Sequence, residues 1–547
     1  MSTPGEPEPV FDVIVSGGTV YDGSGGTPFV ADIGIAGDTI AAIGSTGHAR
    51  AATTIDASGM AVAPGFINML SHSYISLLQD PRSLGELKQG VTLQIFGEGN
   101  SMGPLTPNMR ERMAASAREE IVPVEIVWST LAEYLQHAER CGIAQNIASF
   151  IGATTLRQYA IGADDRPPTA AEMDTMRGLV RDEMSAGALG IGSSLIYPPA
   201  FFASTEELVE LCKAAAPYGG KYISHMRSEG DALIEAVDEL MRISREGGVP
   251  AEIWHLKAAG RQNWNKMDQV IEKIERARAQ GERISADMYL YEAGATGLSN
   301  AIPPRFHDGG SRKLLDRLED AEIRQQIREA IERTSDGWEN LYMSAGGAAG
   351  VLILSVRKEE NRHYQGKRLD AVAAMMGITD PIDALIELIR RDRSRISTAY
   401  FIISEDNIRK QVKLPWVSFG SDSPSWPAEG AFLKLSTHPR AYGNFARLLG
   451  KYVREERLVP LPEAIRRLTR LPADNLELRR RGRIEEGYCA DLVVFDPEMI
   501  ADRATYDEPH RYAVGMRDVI VNGRPVLRDG EPTGELPGRA VYGRGRR

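Results

Sequence analysis

Cysteine is nearly missing from this chain: 547 residues hold three, Cys141, Cys212 and Cys489, far apart in sequence. That excludes a disulfide framework and a zinc site built on paired cysteines. Basic residues are outnumbered, with 64 Lys and Arg against 75 Asp and Glu and a formal net charge of -11. A nucleic-acid partner needs a basic face for its phosphates, so none is expected. No apolar run reaches about 18 residues, so no membrane-spanning helix is expected either. The opening stretch MSTPGEPEPVFDVIV has neither a basic start nor an apolar core, and does not read as a secretory signal. No internal repeat or low-complexity tract stands out. What is present is a sizeable core: 42% of residues are apolar and 25% are charged, which rules out disorder as the main reading. A cytoplasmic globular protein is expected. Its length suggests three or four domains at about 150 residues each, although barrels run past about 250 residues as one unit.

Both ends of the chain read as short strands broken by turns. Phe11–Val15 alternates before Ser16-Gly17-Gly18, and Asp32–Ile35 and Thr39–Ile43 flank the hairpin signal Gly37-Asp38. Ala490–Phe495 repeats this style, as does Val519–Val521 followed by Asn522-Gly523 and Pro525–Leu527. Helical patterning is confined to the middle. The ends read either as one small β domain, residues 1–62 with 481–547, around a central segment 63–480, or as two unrelated caps.

Within that segment short apolar runs alternate with helical stretches. The strand candidates are Ala61–Leu70, Val91–Phe96, Ile147–Ile151, Ala188–Ile191, Lys221–His225, Ala251–His255, Ile284–Tyr289 and Val417–Asp422. Thr205–Ala215 and Met267–Gln280 are among the helices between them. Eight β-then-α units are the signature of an α/β protein of the (β/α)8 TIM-like barrel class. The long gap before the last strand holds charged helices, Arg312–Thr334 and Pro381–Arg391, and a glycine-rich patch, Gly346–Gly350. It reads as an inserted subdomain, roughly residues 296–400, placed to lid the active face. The tail Arg544 to Arg547 reads as a frayed end.

Catalytic groups in such barrels come from the C-terminal ends of strands. Three of the nine histidines fall there: His72, His225 and His255. Glu98 follows the second strand and Asp422 ends the eighth. A lone strand-end histidine is more often structural. Several imidazoles with carboxylates are a set suited to Zn²⁺. Glu98 reads as a ligand or as a solvated loop carboxylate, and His72 as a site residue or as packing. His438, in a His-Pro-Arg turn, reads as structural.

The order of these motifs resembles the amidohydrolase superfamily, and within it the N-acyl-D-amino-acid deacylases, or D-aminoacylases. The resemblance is carried by Ala63-Pro64-Gly65-Phe66-Ile67-Asn68, Ser224-His225-Met226-Arg227-Ser228-Glu229-Gly230, His255-Leu256-Lys257, Asp287–Tyr291, Ser421-Asp422, His438-Pro439-Arg440 and Ala490–Phe495. It spans nearly the whole chain. The resemblance implies a TIM-like barrel, a β-sandwich built from both termini, and hydrolysis of an amide at zinc. It also implies roles: His225 and His255 hold the metal, Asp422 is the general base, and Lys257, Tyr289 and Arg440 hold the substrate's carboxylate or amide oxygen.

This sequence departs from the family pattern in several places. Asn68-Met69-Leu70-Ser71-His72 stands where Asp-x-His-x-His is usual, and a leucine cannot ligate a metal. A second metal is therefore expected to be weak or absent, with His72 as the remnant. The strand-two cysteine is missing from Gly97-Glu98-Gly99-Asn100, and Glu98 is its replacement. No lysine lies near Gly190–Tyr197 to form a carbamylated bridge, and Ala295-Thr296 also differs.

Glu98, His225 and His255 would give one zinc per chain three protein ligands and an open position. Arg440 and Lys257 over one pocket would favour a small anionic amide such as an N-acyl amino acid, unless Arg440 is merely part of a surface salt bridge. A lactonase, a dipeptidase or a cyclic or xenobiotic amide hydrolase would use the same site. Leu70 and the missing cysteine also suit a metal-free binding relative. Self-association into a homo-oligomer is left open.

Overall fold

Strand Phe11–Val20 is the branch point of a nine-stranded sheet. It pairs antiparallel with Phe29–Ala36 and parallel with both Ala51–Asp56 and Ala61–Pro64. Ala61–Pro64 in turn pairs antiparallel with Leu492–Phe495, so hydrogen bonds join strands from both ends of the chain. The hairpin at Asn522-Gly523 forms as the sequence indicates, with both residues at positive φ. The computed structural model describes residues 11–47, 49–333, 337–393 and 396–546. The segment read for a leader thus lies largely outside the described residues, as do Thr334 and Arg547.

Leu492–Phe495 is buried on both faces. Leu492 and Val494 join a small core with Val13, Val15, Ile33 and Ile35, while Val493 and Phe495 join the main core, where Phe495 meets Phe66 edge-on. A strand covered on both sides reads as a continuous apolar run, which is why its sequence shows no alternation.

The parallel strands form two sheets. Phe66–Asn68, Val91–Phe96 and Asn146–Ser149 make the first. Ile151–Gly152 leads into the second, followed by Gly190–Ser194, Lys221–His225, Ala251–Ile253, Ile284–Met288 and Val417–Phe419. The Met69 N–H donates to Phe419 O at 3.2 Å and the Asp422 N–H to Leu70 O at 2.8 Å, so the last strand lies against the first. Lys221–His225 is wholly buried despite its polar ends. Lys221 Nζ is satisfied there by Glu252 Oε2 at 2.6 Å.

Several boundaries differ from the sequence reading. The expected strand Ala61–Leu70 is two strands in two sheets, parted at Gly65. A Cβ at Gly65 would stand 2.1 Å from Thr92 Oγ1, so only glycine lets the chain pass this close while changing sheets. The fourth strand is Gly190–Ser194, later than Ala188–Ile191. Helix Thr205–Ala215 has the expected bounds, and Met267–Gln280 is displaced by one residue, to Lys266–Ala279. The stretch Arg312–Thr334 divides into Ser311–Leu318 and Ala321–Glu332, because the non-helical Asp320 caps the second helix by accepting from Glu322 and Ile323 N–H.

The chain is paired as far as Gly543, just ahead of the Arg544–Arg547 stretch, whose last residue lies outside the described residues. Pro537 and Ala540 bridge to Ile143 and Ile147 alongside the third parallel strand, and the Gly543 N–H donates to Gly187 O at 2.8 Å. Arg544 pairs with Glu477 at 2.8 Å and Arg546 covers the Tyr542 ring. Backbone pairing thus holds residues 537–543, while the Arg544 and Arg546 side chains are exposed.

Between the seventh and eighth parallel strands lies a three-stranded antiparallel sheet: Gly294–Gly297 and Val351–Ser355 flank Ser397–Tyr400. It is packed with helices such as Pro381–Asp392. Among the described residues no helix is long and apolar enough to cross a membrane.

Candidate active site

The parallel strands deliver their ends to one cavity of about 500 Å³. His225 is the last residue of the fifth strand. After the second strand, Gly97 turns at φ +110°, where a Cβ would meet Phe150 O at 2.5 Å, and this turn presents Glu98. His255 and Asp422 both sit at positive φ, 38° and 49°. Such backbone costs about 1–3 kcal/mol per residue. It is held by the His255 N–H donating to Asp287 Oδ1 at 3.0 Å and the Asp422 N–H donating to Leu70 O.

Glu98 is the hub. Its Oε1 lies 3.0 Å from His225 Nδ1 and 3.1 Å from His255 Nε2, and its Oε2 lies 3.0 Å from His72 Nε2. His72 Nε2 is also 2.9 Å from Asp422 Oδ1, and Asp422 Oδ2 is 2.7 Å from Arg440 Nη1. Two overlapping groups can hold a cation: Glu98 with His225 and His255, and His72 with Glu98 and Asp422. The first fits zinc. Ligand atoms around tetrahedral zinc sit about 3.3 Å apart, close to the separations found here. The set combines two imidazole nitrogens and a carboxylate oxygen, each from a different strand end or loop. Leu70 is buried among Ile67, Met69, Leu93 and Ile95 and supplies no donor to the second group.

The buried charges tune one another. Burial opposes ionisation of Glu98, but contacts with His225, His255 and His72 outweigh it and hold the carboxyl well below its usual range. Burial and Lys257 oppose a charged His255, yet Glu229 and Glu98 lift it to about 10. His72 also resists burial and is raised, by Asp422 and Glu98. Asp422 is lowered against its own burial, chiefly by Arg440 and His72. In this cluster Glu98 and Asp422 are favoured as carboxylates.

Lys257 Nζ lies 2.6 Å from Glu229 Oε1 and 2.7 Å from His255 Nδ1. Tyr289 lines the cavity, with the Arg440 guanidinium 4.4 Å from its ring centre. Arg440 itself is buried behind Asp422, only 3% exposed, rather than in a surface salt bridge. His438 Nε2 lies 2.9 Å from Ala293 O, and its Nδ1 accepts from the Arg440 N–H at 3.1 Å, so this histidine braces the arginine turn.

Ser194, Tyr197, Leu341 and Tyr400 also line the cavity and escaped the sequence reading. Ser194 was lost with the misplaced end of the fourth strand; its hydroxyl donates to Glu98 Oε1 at 3.3 Å. Tyr197 packs edge-on to His225 at 5.1 Å between ring centres. Glu229 lies four residues beyond His225, inside the Ser224–Gly230 motif, which by itself gives it no role. Ala295, Thr296, Leu341 and Tyr400 bring the segment between the last two parallel strands onto the cavity wall.

The sequence matches the amidohydrolase family model over residues 53–527. A D-aminoacylase of Alcaligenes xylosoxydans xylosoxydans is 33% identical over 539 residues, covering 97% of each chain. An N-acyl-D-glutamate deacylase of Bordetella bronchiseptica, solved with zinc and a phosphonate mimic of the tetrahedral intermediate, superposes with a TM-score of 0.80. It is 30% identical, over 97% of this chain and 99% of that one. A D-aminoacylase studied for its binuclear metal centre, with one-metal activation and second-metal attenuation, gives 0.79 at 32% identity, over 97% of this chain and all of that one.

Proposed function

The chain belongs to the amidohydrolase family, as a hydrolase of carbon–nitrogen bonds other than peptide bonds, and we propose that it deacylates N-acyl D-amino acids or closely related small amides at one zinc ion. The observation that carries this reading is the convergence of Glu98, His225 and His255 beside Asp422 in one cavity. The D-aminoacylase and N-acyl-D-glutamate deacylase relatives, matched end to end, support the substrate class. The two parallel sheets are read as one (β/α)8 barrel, residues 63–480 with an insert at about 296–400. Residues 1–62 and 481–547 are read as the small β domain. The contacts of Met69 with Phe419 and of Ala63 with Val493 support that division.

Glu98, His225 and His255 would hold the zinc, and His72 would stand beside it. Zinc bound there supplies a Lewis acid for the scissile carbonyl and lowers the pKa of water to about 7. Asp422 accepts the proton of the attacking water on a carboxylate oxygen and returns it to the leaving amine nitrogen. Such proton transfer is worth about 10²–10⁴-fold in rate. His72 and Arg440 hold the two Asp422 oxygens and fix its direction. Tyr289 and Lys257, both on the cavity wall, bind the amide oxygen and the substrate carboxylate, and Arg440 adds charge from behind.

The test is elemental analysis of the purified protein followed by a panel of N-acyl D-amino acids, N-acyl L-amino acids, lactones and cyclic amides. About one zinc per chain and turnover of the N-acyl D-amino acids are expected. Turnover of lactones or cyclic amides alone would replace the deacylase reading. Two tightly held zinc ions would overturn the single-metal account, and none after reconstitution would point to a binding relative.

A further inference from the structure

We propose that Glu229 is the positioning residue that readies both zinc-binding histidines, an inference that rests on the zinc reading above. Glu229 is 3% exposed. Its Oε1 lies 3.0 Å from His255 Nδ1 and its Oε2 lies 3.5 Å from His225 Nε2. These are the ring nitrogens that face away from Glu98, since His225 presents Nδ1 to Glu98 and His255 presents Nε2. One carboxylate thus spans the outer atoms of both imidazoles.

A neutral imidazole carries one proton on two nitrogens. To offer a lone pair to a metal from one nitrogen, it must keep its proton on the other, and that N–H needs an acceptor. His255 Nδ1 has two neighbours. Lys257 Nζ is 2.7 Å away, but an ammonium only donates. With Lys257 as its partner, Nδ1 becomes the acceptor and the proton moves to Nε2, where the lone pair is required. Glu229 Oε1 is the acceptor that selects the opposite tautomer. It also holds Lys257 Nζ at 2.6 Å, so the lysine keeps a partner when His255 Nδ1 donates to the carboxylate. On His225, Nε2 has no hydrogen-bond partner among the described residues, and Glu229 Oε2 is the carboxylate oxygen beside it.

The main chain of Glu229 is gripped from two sides. Its N–H donates to Glu339 Oε2 at 2.7 Å, and its carbonyl accepts from the Ala259 N–H at 2.7 Å. Ala259 follows the sixth strand, and Glu339 comes from the segment between the last two parallel strands. The carboxylate is therefore aimed by its backbone.

The experiment measures the Zn²⁺ affinity of the metal-stripped, full-length protein against a chromophoric chelator, without substrate, in wild type, Glu229→Gln and Glu339→Met. Glu229→Gln is expected to weaken zinc binding by about 10–100-fold with an unchanged melting curve of the metal-free protein. Wild-type affinity in a folded Glu229→Gln protein overturns the proposal. Should that variant not fold, Glu339→Met, which removes the acceptor of the Glu229 N–H, decides. A several-fold loss supports the role, and wild-type affinity overturns it. A wild-type protein that takes up no zinc would overturn the functional reading as well, whereas unchanged affinity in the variants overturns only the role of Glu229.

Discussion

Arg440 Nη1 stands 2.7 Å from Asp422 Oδ2, while the other oxygen of that carboxylate faces His72 at 2.9 Å. The carboxylate proposed as the base is thereby held between two cationic or protonatable groups, on a backbone of positive φ. Its direction is fixed before any substrate arrives, which is how a proton-transfer group avoids a reorganisation cost.

Asp422→Asn removes the proton acceptor and preserves shape. Turnover of the best N-acyl substrate is expected to fall by at least about 10²-fold, with zinc content unchanged. Steady-state kinetics beside elemental analysis checks both halves. Near-normal turnover would remove Asp422 from the mechanism.

His255→Ala should lose most of its zinc, and His72→Ala should keep more. His255 shares Glu98 Oε1 with His225, whereas His72 lies against the other oxygen and Asp422. Dialysis against a weak chelator followed by elemental mass spectrometry separates the two. Equal losses would make His72 a ligand of the same ion.

Acid should weaken the fold through His307. Burial pushes this imidazole down to about 4, although the carbonyls of Ile302 and Ser299 act the other way, and among the described residues its Nε2 has no hydrogen-bond partner. The unfolded chain takes up the proton first, so the contribution is intact above pH 6.5 and is lost as pH falls toward about 4. The full loss is at most about 3 kcal/mol. Urea unfolding at pH 7 and pH 4.5 should show a smaller pH effect in His307→Gln than in wild type. Identical pH effects would exclude His307 as the source.

Arg157 and Glu207 form an ion pair at 2.7 Å with both side chains almost fully buried. Arg157→Met leaves a carboxylate without its partner and should cost about 3–5 kcal/mol. Arg157→Met with Glu207→Leu should cost clearly less, because no charge is stranded. Denaturant melts of the single and double variants test this, and equal losses would contradict it.

Much of the architecture was legible because apolar runs ended in chemistry. Val91–Phe96 and Lys221–His225 carry the bounds read from their side chains alone. The split at Gly65 was not legible, since its cause is the distant Thr92. Asp320 broke a continuous helical pattern by offering its carboxylate to the next turn, a local competition that periodicity does not register. The pairing of Pro537 and Ala540 was not legible because their partners, Ile143 and Ile147, lie hundreds of residues away. Glu229 acquires its neighbours only when the fifth and sixth strands lie side by side. Arg440 was read for the substrate's carboxylate; its 2.7 Å contact with Asp422 depends on two turns that approach only in the folded protein.

The pairing of Ala61–Pro64 with Leu492–Phe495 sets an order on biosynthesis. The opening strands leave the ribosome long before the strand that completes their sheet exists. Until then Ala61–Pro64 is an open, apolar edge, the kind that recruits a neighbouring chain. A nascent or prematurely terminated product should therefore be a better client for chaperones than the finished protein.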